Sequence, residues 1–291
     1  MRVDPPGQWF ESMLAAIALA TGLGFGARIG GVGGALVGGA MGAGAAFFLR
    51  RNRRHKQARR REIVSKPFPE SWESFLRKHY SLYARLPAEI RHRFETDVAF
   101  FIAEQRITGI GTEASEELKL LVAASAVTLS VGWPDYEWDQ LAEVLLYPDN
   151  FDRDYQFGRG ELAGMAHPWG TLILSAPSLL KSFEIPDDGY HVGLHEFAHL
   201  LDREGVHFDG TPPGLDSERT EQWTVLQQKE MNLLRDGRSV LDPYGAENCS
   251  EFLAVAVEGF FERSADLERH HPELYQLLSW YFALDPASWE R

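Results

Sequence analysis

Residues 191–202 read HVGLHEFAHLLD, and no other stretch restricts the fold as much. His195 and His199 are four residues apart, so on an α-helix they share one face and both imidazoles reach a single point. On a strand they would not converge in this way. The spacing therefore predicts a helix over about 190–202. Glu196, one residue along, would stand beside the same point. Zinc bound by two histidines acidifies water, and an adjacent carboxylate takes the proton as that water attacks a carbonyl. A catalytic zinc also needs a third protein ligand and an open fourth position. The single cysteine, Cys249, excludes both a cysteine cage and an intrachain disulfide.

The third ligand has three possible sources. One pattern requires a histidine six residues beyond His199, but Gly205 stands there and His207 is out of register. Asp242-Pro243-Tyr244-Gly245 offers an aspartate in a partial motif. CSEFLAVAVEGFFE, residues 249–262, offers a glutamate on a separate helix. On a helical wheel Glu251, Glu258 and Glu262 fall within about 40° of one another, opposite Phe252, Val257 and Phe260. The central Glu258 is the expected ligand. Glu251 and Glu262 are expected to orient a ligand histidine through its other ring nitrogen. Tyr244 is a candidate donor to a tetrahedral oxyanion. Asp202 sits at the end of the histidine helix, where an acid opposes the dipole and needs a partner. His191 reads as a helix-start residue at the cleft rim, and His270 and His271 as a helix entry before Pro272.

The rest of the body reads as α+β with helices dominating. Periodicity predicts helices at 70–80, 87–106, 115–130, 220–234, 248–263 and 272–282. LAEVLLY (141–147) and GTLILSA (170–176) read as strands, each stopped by a proline. The second is expected to lie at a sheet edge beside the histidine helix, where an extended peptide can pair with it.

Residues 1–65 differ in kind. They hold 10 Lys/Arg against 3 Asp/Glu, whereas residues 66–291 hold 19 against 39. The acidic body would repel nucleic acid, which excludes that partner class. IGGVGGALVGGAMGAGAAFFL, residues 29–49, is 21 residues without charge. A membrane helix needs about 20. Its glycines at 30, 34, 38 and 42 suit close helix approach in lipid. RRNRRHKQARRR follows at 50–61, the flank expected on the cytoplasmic side. Two topologies fit: one span over 29–49, or a hairpin of 10–27 and 29–49 with Arg28 near the turn. The expectation is a membrane anchor through residues 12–61 on the inner (cytoplasmic) membrane, with the body, 66–291, in the cytoplasm.

The body, from Phe68 to Pro286, resembles the Mlc titration factor A family of zinc peptidases. The resemblance is carried by WESFL, LLVAASAVTLSVG, EVLLYPDNF, GTLILSAPS, HVGLHEFAHLLD, DPYGAENCSEFLAVAVEGFFE and HPELYQLLSWYFALDP, in that order. It implies a zincin-like, gluzincin-type domain with one zinc ion per chain. It also implies His195, His199 and Glu258 as ligands and Glu196 as base. The implied activity is hydrolysis of a peptide or protein substrate. The alternative is a zincin fold that binds a regulatory protein without catalysis, since the family's name points to a transcriptional regulator.

Overall fold

The computed structural model describes residues 8–290 except 159, 168 and 205–208; for 8–19, 22, 23, 26, 35 and 290 it describes the backbone alone. Gly205 and His207, weighed above, lie outside the described residues. Packing divides the chain into two units, residues 2–67 and 68–291.

The first unit is α1 (Gln8–Val64), broken at Gly30–Gly31. Gly31 has φ 57°, a left-handed conformation that costs glycine little. No single helix among the described residues is long and apolar enough to cross a membrane. Two segments, Ala27–Gly34 and Leu36–Val64, meet at 93° and together have the length and composition of a broken span.

The second unit runs α2 (Glu70–His79), α3 (Ser81–Arg85), α4 (Ala88–Glu104), β1 (Ile107–Gly109), α5 (Glu116–Ser130), β2 (Glu143–Tyr147), β3 (Gly164–Ala166) and β4 (Thr171–Ser175). Then come α6 (Ala176–Glu184), α7 (Val192–Asp202), α8 (Ser217–Arg235), α9 (Cys249–Glu262), α10 (Ser264–His270) and α11 (Pro272–Phe282). It is mostly helical α+β, as expected. Polar side chains start the central helices: Ser115, His191, Asp216 and Asn248 each accept a backbone N–H from the first turn. Pro177, read above as a strand stop, lies in the first turn of α6, where its missing N–H costs nothing.

The core is built on α5, α7 and α9, which are too apolar for any surface position. In α5 every residue from Leu120 to Ser130 is buried. Its Ser125, Thr128 and Ser130 hydroxyls donate to carbonyls one turn back, so they enter the core satisfied. Helix α7 packs against α5 and α9, and also against β3 and β4.

The sheet order is β1-β2-β4-β3, with β1, β2 and β4 parallel and β3 antiparallel. Val144, Leu146, Leu172 and Leu174 enter the main core. Tyr147 and Ile173 face the other way and pack with Phe151. The sheet is thus covered on both faces, as its apolar strands require. The expectation for 170–176 is corrected here: β4 pairs on both sides and is interior, and the edge beside α7 is β3.

Candidate metal centre

Helices α7 and α9 build the site. Helix α7 is capped by His191, whose Nδ1 accepts from Leu194 N at 3.2 Å. Glu258 of α9 holds the same end, because Oε1 accepts from His191 N at 2.6 Å. Its second oxygen, Oε2, meets His195 Nδ1 at 3.0 Å. One buried carboxylate therefore fixes both the start of the histidine helix and one of its rings.

Two turns earlier on α9, Glu251 reaches the other side of that ring. Its Oε2 lies 3.1 Å from His195 Nε2 and 3.2 Å from His199 Nε2, and the two Nε2 atoms are 3.1 Å apart. His199 Nδ1 meets Ser250 Oγ at 3.1 Å. With both Nδ1 atoms committed as donors, both Nε2 atoms of the neutral rings turn lone pairs toward each other and toward a carboxylate. Three acceptors converging on one point repel unless a cation or a proton lies between them. Tetrahedral zinc with bonds of about 2.0–2.1 Å holds its ligand atoms about 3.3 Å apart, so the donor set and its spacing fit this ion. His195, His199 and Glu251 are the metal-competent group among the described residues.

The electrostatics agree. Burial opposes charge on His195, but Glu258 and Glu251 outweigh it and hold its pKa well above the usual imidazole value. Burial alone would raise Glu251, yet hydrogen bonds from the two imidazoles bring it down to about 2. A proton on His195 does here what a divalent cation would do better.

The glutamates thus take positions other than those read from the wheel. Glu251, expected behind the ligands, faces both Nε2 atoms. Glu258, expected as third ligand, faces Nδ1 of His195. Glu262 reaches neither histidine: it is buried one turn further on, beside a small cavity lined by Tyr80, Ser182, Phe183 and Phe261. Its Oε2 has no hydrogen-bond partner among the described residues. Burial, then the charges of Glu258 and Asp188, push its carboxyl up to about 9, so it is protonated at neutral pH. Asp242 caps the 3-10 turn at Pro243–Ala246 by accepting Tyr244 N at 2.8 Å, and it is not in the convergent group. His191 does start the helix, but it is buried against Tyr80 and Phe183 and not at a rim.

Glu196 leaves α7 toward β3. A Cβ at Gly164 would fall 2.5 Å from Glu196 Cγ and 2.6 Å from its Oε1, so any side chain there would push this carboxylate out of its place. Burial is the main cause that raises the Glu196 pKa, in part offset by the two imidazoles. Tyr244 is 45% exposed, with its ring 6.0 Å from that of His195. Asp202 is buried, and it accepts from Ser250 Oγ at 2.8 Å and from Gly210 N at 3.1 and 3.2 Å. Ser250 and Gly164 escaped the sequence reading. Ser250 stands next to Glu251 and could have been found as a hydroxyl beside a candidate ligand. Nothing short of the strand pairing marks Gly164.

Comparison with known proteins gives the chain a family. The family model described as glucose-regulated metallo-peptidase M90 matches residues 52–283. An uncharacterized protein of Synechocystis sp. is 29% identical over 248 residues, which is 78% of this chain and 89% of that protein. Mlc titration factor A of Pectobacterium atrosepticum is 28% identical over 187 residues, 59% of this chain and 68% of the relative. The protein of that name from Escherichia fergusonii is 26% identical over 204 residues, 64% of this chain and 76% of the relative. A match spanning the histidine helix, α9 and the whole sheet leaves one assignment: the chain belongs to the glucose-regulated metallo-peptidase M90 family.

Proposed function

We propose that the chain is a zinc-dependent peptidase with His195, His199 and Glu251 as ligands and Glu196 as base. The observation that carries this reading is the meeting of two imidazole Nε2 atoms and one carboxylate oxygen within 3.1–3.2 Å. Zinc held there supplies a Lewis acid that polarises a carbonyl and lowers the pKa of water. Glu196 takes the proton of the attacking water and returns it to the leaving amine. Its raised pKa suits both transfers, because a base poised nearer neutrality also serves as acid. Tyr244 donates to the developing oxyanion. The free edge of β3 pairs with an extended peptide and lays its scissile bond beside Glu196. Glu196→Ala is expected to keep stoichiometric zinc while kcat/KM on a fluorogenic peptide falls by about 10²–10⁴-fold. Unchanged turnover would sink the mechanism.

The name Mlc titration factor A, borne by relatives, supports a second reading, in which the acidic body binds a regulatory protein. Binding of such a partner that survives both Glu196→Ala and zinc removal would favour it. For location, we infer a tether at the cytoplasmic membrane with the body in the cytoplasm. The support is the apolar stretch, whose Val32, Leu36, Val37, Met41, Phe47 and Phe48 are exposed, followed by the basic run at 50–61.

A further inference from the structure

We propose that Ser250 is a positioning residue for His199, relaying the buried carboxylate of Asp202 to the ring's Nδ1. This rests on the metal-centre reading above and extends it to a residue outside the ligand set. Ser250 Oγ donates to Asp202 Oδ2 at 2.8 Å. An ionised carboxylate only accepts, so the one hydroxyl proton is committed there. Toward His199 Nδ1, 3.1 Å away, the same oxygen can only accept. The ring must then carry its proton on Nδ1, and Nε2 is left with its lone pair facing Glu251 and His195. The relay selects the tautomer and the ring orientation a metal needs.

The far end of the relay is held firmly. Asp202 is wholly buried at the end of α7 and also accepts from Gly210 N. Gly210 has φ +69°, and a Cβ there would lie 1.9 Å from the Cys249 carbonyl oxygen. Its own carbonyl accepts from Trp223 Nε1 at 2.8 Å and Gln227 Nε2 at 3.1 Å. Asp202 is thereby tied to α8 and to the first turn of α9, so Ser250 has a fixed acceptor and one hydroxyl orientation. The two ligand histidines are supported unequally. His195 has a carboxylate in direct contact, Glu258, and His199 has one at one remove. This arrangement also explains an acid at a helix C-terminus, where the dipole disfavours it.

Zinc affinity of the purified full-length chain, measured by competition with a chromophoric chelator, tests the relay. Ser250→Ala is expected to bind zinc about 10–100-fold more weakly, the usual cost of losing such a partner. Its metal-free thermal midpoint should fall by no more than a few degrees, because Asp202 keeps the bonds from Gly210 N and alanine suits the first turn of a helix. Ser250→Thr, which keeps the hydroxyl, should recover most of the loss. An alanine variant that holds zinc as tightly as wild type overturns the inference, as does a threonine variant as weak as the alanine one. A wild-type chain that takes up no zinc overturns the metal-centre reading itself, and the relay with it.

Discussion

Glu251 and Glu258 stand two turns apart on α9 and act on opposite edges of one imidazole. Glu251 meets Nε2 of His195 and Glu258 meets Nδ1. Removing each should therefore cost differently. Glu251→Ala is expected to abolish stoichiometric zinc, whereas Glu258→Gln should weaken it by about 10–100-fold, read by metal analysis after dialysis. Equal retention in both variants would return the third ligand to another residue. Glu262 tests a separate effect. In the fold its carboxyl keeps a proton up to about 9, while in the unfolded chain it loses that proton from about 4.5 upward. The unfolded state then binds fewer protons, so stability present below the unfolded value is lost as pH rises toward 9, at about 1.4 kcal/mol per pH unit. Glu262→Gln should raise the unfolding midpoint more at pH 8 than at pH 5. A shift that is the same at both would show that the residue titrates normally.

At the scale of elements, the site is a crossing of α7 and α9 closed by a three-residue strand. The long helices were legible because apolar periodicity persists over many residues, and α11 runs from Pro272 to Phe282 as the pattern predicts. The strands β1 and β3 were not, since three residues carry no period and exist only through pairing with distant partners. That gap mattered, because β3 is the edge beside Glu196 and β4 is interior. Gly164→Ala would press a methyl group onto the Glu196 carboxylate. Peptidase activity is expected to fall by at least about tenfold with zinc affinity unchanged, since a displaced base loses part of its contribution. Full activity would mean that Glu196 has room to move.

The whole molecule joins two units of opposite charge. Residues 1–65 hold 10 basic against 3 acidic side chains, and residues 66–291 hold 19 against 39. If the first unit is a tether and the second a complete catalytic body, deleting residues 1–65 should release the body from alkali-washed membranes with its zinc affinity intact. Release of the full-length chain by alkaline carbonate alone would argue against insertion. Composition and motif order carried much at this scale: a mostly helical α+β body, its family, and the helix that carries His195, Glu196 and His199. They also put three carboxylates on one stripe of a downstream helix. They could not say which of these reaches the two Nε2 atoms, because residues seven apart on a helix share nearly one angle but differ by about 10 Å in height. Height on α9 has meaning only relative to where α7 crosses it. Packing against α5 and the hold of Glu258 on His191 set that crossing, and it puts Glu251 at the Nε2 atoms and Glu258 behind them.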